Sequence, residues 1–128
     1  MQQLGGLDAV FLNFESTACP MHVGGLVIMD PKTAPGSDQD QDGGFSRVHK
    51  HVESRLDLVP PLRRRLVQAP LELDLHYWIE DPDFDLVHHV KHRALPSPGD
   101  DRALSALVCE LASSRLGRHL PLWEIHYV

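Results

Sequence analysis

A chain of 128 residues has room for one compact domain and is too short for two of ordinary size. Its 42% hydrophobic and 23% charged residues are enough to build a core, which argues against a wholly disordered chain. A formal net charge of −6, with Arg63-Arg64-Arg65 as the one dense basic run, argues against a nucleic-acid partner, whose phosphates demand a basic face.

In chain order, Leu4, Leu7, Val10, Phe11 and Phe14 recur at helical spacing and predict a short helix from about Gly6 to Glu15. MHVGGLVIM, Met21 to Met29, is an apolar run rich in Val and Ile between Pro20 and Asp30-Pro31. It predicts a buried strand in which Gly24 and Gly25 leave room for close approach to the backbone. DPKTAPGSDQDQDGG, residues 30–44, is polar and rich in Pro, Gly and Asp, and predicts a flexible polar loop within a domain spanning 1–128. Phe45, Val48, Val52 and Leu56 then mark an amphipathic helix ending near Val59, where Pro60 and Pro61 stop it.

Leu62 to Ala69 and Leu75 to Glu80 read as two short strands around a turn at Pro70. From Asp81 the chain turns and becomes extended, with Phe84, Leu86, His88 and Val90 expected on one side. LPSPGDD is a second break and a helix entry. Leu104, Leu107, Val108, Leu111 and Leu116 share one face of a helix from about Asp101 to Leu116. Acids stand at its start, Arg115 and Arg118 at its end, and Gly117 as its stop. LWEIHYV closes the chain as a strand. Strands alternate with helices and no repeat is visible, so the expected class is α/β (α+β), one mixed layer system.

Cys19 and Cys109 lie far apart without metal-ligand spacing and read as reduced thiols. The N-terminus has no signal-peptide pattern and no apolar run approaches the ~20 residues of a membrane span. The expectation is a cytoplasmic protein, at most peripheral on a membrane or lipid droplet.

Nine histidines invite a metal reading, above all His88, His89 and His92. On a strand His88 and His92 would face one way and His89 the other, with only Asp85 on the His89 side. No Cys or second His group stands at a familiar spacing, so no metal is expected. A hydrolase centred on these histidines is the weakest reading, because Ser16, Ser46, Ser54 and Ser113 are scattered and none sits in a nucleophile elbow. Trp123 fits a core anchor, Arg63 to Arg65 solvated strand-edge charges, and Asp81-Pro82-Asp83 a turn. Composition and spacing alone stop at a soluble α/β domain.

LDAVFLNFES, PMHVGGLVI, PPLRRRL, YWIEDPDFDLVHHV, ALPSPGDDRAL and PLWE occur in an order that resembles the N-terminal part of the bacterial wax ester synthase/diacylglycerol acyltransferase family. The resemblance covers nearly the whole chain apart from residues 30–44. It implies a chloramphenicol-acetyltransferase-like two-layer fold, of which this chain is the N-terminal half. It also implies acyl-CoA as co-substrate, no cofactor, and a diacylglycerol or fatty alcohol as acceptor.

In the family a His-His-x-x-x-Asp-Gly motif supplies the general base, and it normally follows PLWE by a strand and a turn. Here His88-His89 is followed by Arg93 and Ala94 where Asp-Gly should stand, and it precedes PLWE, so it matches a non-catalytic position. Two further departures are Gly117-Arg118 where the family usually has Asp-Arg, and Leu75-His76-Tyr77-Trp78 for a more usual His-Pro-x-Trp. No catalytic residue is expected in this chain. Met21, His22, Pro121, Leu122, Trp123 and Glu124 match motifs that frame the substrate tunnel or pack behind the site. The expectation is an acyltransferase fragment, inactive alone, with the missing C-terminal half on a separate chain. The alternative is a non-catalytic lipid- or partner-binding half-domain, with Arg47, Lys50 and Arg55 on an amphipathic helix suited to anionic lipid.

Overall fold

The computed structural model describes residues 1–30, 42–69 and 76–128. Most of the polar loop and the expected turn at Pro70 lie outside the described residues. Chain order among them runs β1 (Gln2–Gln3), α1 (Gly6–Phe14), α2 (Phe45–Glu53), two 3-10 turns (Leu56–Leu58 and Pro60–Arg63), β2 (Arg64–Val67) and β3 (Tyr77–Glu80). A further 3-10 turn (Leu86–His88), β4 (Val90–His92), α3 (Asp101–Ser113) and β5 (Ile125–Tyr127) complete it. The mixed α/β class is as expected.

β1, β3 and β2 form an antiparallel sheet in that order, with Gln2 opposite Trp78 and Leu66 opposite Trp78 on the other side. β4 and β5 form a parallel pair, Lys91 beside His126, joined through α3 as a parallel pair requires. Arg65 and Pro121 make a single bridge between the two systems. β1 was not anticipated, because Gln-Gln carries no β-signal; it is held by its partner strand and by the Leu4 amide donating to the His76 carbonyl.

α1 forms where its spacing predicts, but in a different phase. Leu4, Ala9 and Leu66 make a small core with Leu12 and Trp78 packed on it. Ala9 faces the sheet because its small side chain lets the helix approach, and the wide stripe of Leu7, Val10, Phe11 and Phe14 is left exposed, Phe14 by 70%. Met21–Met29 is not a buried strand. It belongs to no strand or helix, its residues from Val23 onward are exposed, and Val23 is 98% exposed. No ladder partner for it exists among the described residues, and an isolated strand cannot satisfy its own backbone.

α2 is shorter than its periodicity suggests. It starts at Gly44, whose left-handed φ of 100° suits glycine, and the Asp42 carboxylate accepts the amides of Gly44 and Ser46. The Ser46 hydroxyl also donates to Asp42, and this bond, followed by the Ser46 amide, holds the carboxyl below its ordinary value. The helix ends at Glu53, and from Leu56 the chain tightens into 3-10 turns, the second opened by Pro60 and Pro61, which have no amide to donate. Leu56 thereby joins Leu86 and Val90 in a second core, flanked by Phe45, Val52, Leu62, Phe84 and Trp123.

Around Leu86 the expected continuous strand is replaced by a turn. The Asp85 carboxylate accepts the Val87 amide at 3.0 Å, which shifts the phase by one residue. His89, and not His88, joins Leu86 and Val90 inside. α3 begins as expected, with Asp100 accepting the Ala103 amide at 2.9 Å, but it ends at Ser113, before Arg115 and Gly117. Its Leu104, Leu107 and Leu111 are only half buried.

Candidate functional site

Residues 121–124 are the expected motif that the structure builds most firmly. Pro121 is buried beside Arg65. Trp123 is half buried and its indole N–H donates to the Leu62 carbonyl at 2.7 Å. The His89 ring lies between two aromatic planes, 5.2 Å from Phe84 and 4.5 Å from Trp123, with interplanar angles of 9° and 18°. Its Nδ1 lies 2.8 Å from the Trp123 carbonyl oxygen. A carbonyl only accepts, so Nδ1 carries the proton and donates. Nε2 is buried without a hydrogen-bond partner. The Ile125 amide returns a bond to the His89 carbonyl at 2.7 Å. His89 therefore holds the entry to β5 with its ring on Trp123 and β5 itself with its backbone on Ile125, at 1% exposure.

The histidine cluster consequently diverges. His88 is exposed, His89 is enclosed, and His92 stacks on Phe45 at 4.8 Å. Tyr127 closes the same edge by donating its hydroxyl to the Gly43 carbonyl.

Glu124 sits between two nitrogen donors, with Lys91 Nζ at 2.7 Å and His126 Nε2 at 2.9 Å. Burial works to raise its carboxyl, but the bonds from Lys91 and His126 outweigh it and hold the group below the usual carboxylate range. This pairing ties β4 to β5 and was not foreseen; the Lys91–His126 register places both donors on one acceptor.

Arg63 to Arg65 are not merely solvated edge charges. Arg65 Nε lies 3.4 Å from Asp81, whose side chain is 5% exposed, and Arg63 reaches Asp57 at 3.2 Å. Asp81 also accepts the Asp83 amide at 3.2 Å, as a turn there requires.

Gly117-Arg118 has a clear role: the Arg118 guanidinium donates to Glu15 at 2.8 Å and to the Leu12 carbonyl at 2.8 Å, closing the C-terminus of α1. Nothing in the spacing of Glu15 and Arg118 pointed to this.

Met21 and His22 are half buried in the irregular segment, with the Cys19 thiol 3.8 Å from the Met21 sulfur and His22 Nδ1 buried without a partner. The structure does not draw them into the Trp123 cluster through any described contact. Two shallow clefts, of about 280 and 270 Å³, lie beside Arg63-Arg64 and beside Arg118. Both fall short of the roughly 300–1,000 Å³ of ordinary small-ligand pockets, so neither encloses an acyl-CoA. Cys19 and Cys109 are free thiols, as expected. Among the described residues no helix is long and apolar enough to cross a membrane.

Comparison with known proteins gives this arrangement its context. The wax ester synthase/diacylglycerol acyltransferase catalytic domain family matches residues 4–128. A probable diacylglycerol O-acyltransferase, tgs3, of Mycobacterium tuberculosis is 38% identical over 126 residues, covering 98% of this chain and 44% of the relative. A second M. tuberculosis protein named as a diacylglycerol O-acyltransferase is 34% identical over 125 residues, covering 98% of this chain and 24% of its own length. The solved wax ester synthase/diacylglycerol acyltransferase of Marinobacter aquaeolei superposes with a TM-score of 0.76 at 32% identity, over 98% of this chain and 29% of that one. That protein has the chloramphenicol-acetyltransferase-like fold, so the fold expected from the sequence holds. The chain spans less than half the length of the relatives it matches, and it matches their N-terminal part. On the strength of a match from Leu4 to Val128, the chain belongs to the wax ester synthase/diacylglycerol acyltransferase family.

Proposed function

We propose that this chain supplies the N-terminal part of an acyl-CoA-dependent O-acyltransferase acting on a diacylglycerol or a fatty alcohol. The observation that carries this reading is the family match over residues 4–128, with Trp123 packed against the second core. In such a reaction the acceptor hydroxyl oxygen attacks the thioester carbonyl. A C–O bond forms, the C–S bond breaks, and the hydroxyl proton passes through a general base to the leaving thiolate. The family's His-His-x-x-x-Asp-Gly base is not among these residues. His89 is a poor substitute, because Nδ1 is bonded to the Trp123 carbonyl and Nε2 is buried beside the aromatic stack.

Residues 121–124 frame the site from behind, Trp123 through packing and Glu124 by holding β4 to β5, and Met21-His22 border it. The catalytic histidines come from sequence corresponding to the rest of the relatives' length, and the whole enzyme works from the cytoplasm on a lipid surface.

The test is acyl transfer from labelled acyl-CoA to diacylglycerol and to a long-chain alcohol. It is run with residues 1–128 alone and with the remaining portion of the tgs3-like relative co-expressed as a second chain. The expected outcome is no turnover alone and turnover with both. Turnover by the isolated chain that His89→Ala abolishes would place the base in this chain and overturn the assignment. Absence of both transfer and complex formation in the co-expressed pair would sink the acyltransferase reading. A second reading, a non-catalytic binding half-domain, is favoured by the exposed apolar run after His22. A complex without turnover would support it.

A further inference from the structure

We infer, resting on the proposed function for the presence of a lipid acceptor, that the outer ridge of α2 and the turn after it form the face by which the chain lies on an anionic lipid surface. Which face meets the lipid, and by what chemistry, follows from the residues of that ridge.

The apolar stripe of α2 is already used. Phe45, Val52 and Leu56 pack in the second core, and Val48 on the same face is half buried. Opposite them stand Arg47, Lys50, His51, Ser54 and Arg55, at steps of three and four residues, and all five are exposed. Ser54 and Arg55 continue the ridge because their backbone stays right-handed past the helix end. The one carboxylate of the helix, Glu53, stands on its flank. The ridge carries no apolar side chain, so it is not a core face waiting for more polypeptide. Packing protein on it would strip water from Lys50 and Arg55 with nothing apolar gained.

Its cations are also uncommitted. Arg63, Arg65, Lys91 and Arg118 each lie against a carboxylate. Lys50 and Arg55 lie against none among the described residues. The chain as a whole has a formal net charge of −6. An anionic surface therefore repels the body and attracts the ridge, which orients the molecule.

The turn after α2 adds an apolar foot. The Leu58 amide donates to the Arg55 carbonyl at 3.0 Å, a 3-10 step in which side chains three apart eclipse, so Leu58 lies on the side of Arg55. Leu58 is 73% exposed and Val59 43%. Asp57, between Arg55 and Leu58, has its carboxylate held by Arg63 at 3.2 Å. Cations at the level of headgroup phosphates, with aliphatic side chains beside them for the layer beneath, are the chemistry of an interfacial segment.

The experiment is co-sedimentation of residues 1–128 with vesicles of phosphatidylglycerol mixed with phosphatidylcholine, and with vesicles of phosphatidylcholine alone. The expected result is binding to the anionic vesicles that weakens as salt rises from about 0.1 M to about 1 M. Each cation near such a surface strengthens binding roughly fivefold, so Lys50→Gln/Arg55→Gln should bind about 25-fold more weakly. Arg102→Gln/Arg115→Gln removes the same charge from exposed positions on and just after α3 and should bind as wild type. Leu58→Ser should weaken binding roughly fivefold. All these positions are exposed, so the melting temperatures should match wild type. No binding to the anionic vesicles would overturn the inference. Equal binding to both kinds of vesicle, or binding that Lys50→Gln/Arg55→Gln leaves unchanged, would move the lipid contact to the exposed apolar stripe of α1 and overturn it too. Single-stranded DNA bound as strongly, and released by the same pair of substitutions, would make the ridge a site for polyanions at large and not a membrane face. None of these outcomes involves turnover, so the acyltransferase assignment stands or falls by its own assay.

Discussion

At the scale of single residues, the Phe84–His89–Trp123 stack joins two kinds of interaction that reinforce each other. Each aromatic pair contributes about 0.5–1.5 kcal/mol beyond its buried area. The ring-to-carbonyl bond fixes which nitrogen bears the proton, so the ring is held in one tautomer and one plane. Glu124, next to Trp123 in the chain, is the charged counterpart. Its folded-state carboxyl is held below the ordinary value, so its contribution to stability is present above the unfolded carboxylate pKa of about 4.3. That contribution is lost as pH falls through the still lower folded value. With the side chains of Glu124 and Lys91 27% and 33% exposed, screening keeps it small, about 1 kcal/mol or less. Urea unfolding at pH 7, 5 and 3 is therefore expected to show Glu124→Gln less stable than wild type at pH 7 and the difference shrinking as the pH falls. An offset as large at pH 3 as at pH 7 would mean that the effect is packing and not charge. The tautomer and the ion pair were not legible in the sequence, because both depend on the parallel β4–β5 register, and register is set between segments far apart in the chain.

At the scale of elements, periodicity located α1 and α3 well and their ends poorly. α3 was extended to Leu116 on an apolar residue that lies beyond its last turn, and Ser114 at its end has an extended backbone. α1 was placed within one residue, but its buried face was misjudged. Hydrophobic spacing identifies a stripe without saying whether anything is there to cover it. What fixes α1 is polar and long-range: Arg118 donates to Glu15 and to the Leu12 carbonyl, so the segment ahead of PLWE holds the end of a helix more than 100 residues away. The Glu15 side chain is 10% exposed, and removing its partner leaves a nearly buried carboxylate uncompensated. Arg118→Ala is expected to lower stability by about 2 kcal/mol, less than a fully buried pair because Arg118 is itself 35% exposed. Arg118→Lys should recover only part of this, since an ammonium cannot reproduce the two-point contact. Thermal melts of the three proteins check it, and a melting temperature for Arg118→Ala within a degree of wild type would show the contact to be incidental.

At the scale of the molecule, the described residues form two small cores where one would be expected for a chain of this size. One lies under α1 and the other lies between α2 and β4. Large apolar side chains remain outside them, concentrated in α1 and in the run after His22. The fold class and the family were legible because the signals that carry them are local: turn residues, apolar runs and short motifs in order. The burial of each element was not, because a strand pattern reports the environment in which a segment is stable, and that environment for Val23–Met29 is not formed by the described residues. The exposed surface should be directly measurable. At neutral pH the isolated chain is expected to enhance anilinonaphthalene sulfonate fluorescence about threefold or more over a globular protein of similar mass, while keeping native far-ultraviolet dichroism. Phe14→Ser and Ile28→Ser, both at solvent-exposed positions, should reduce that enhancement with stability changed by no more than about 0.5 kcal/mol. If the two substitutions instead unfold the chain, these side chains are packed in solution, and the exposed surface described above is already covered.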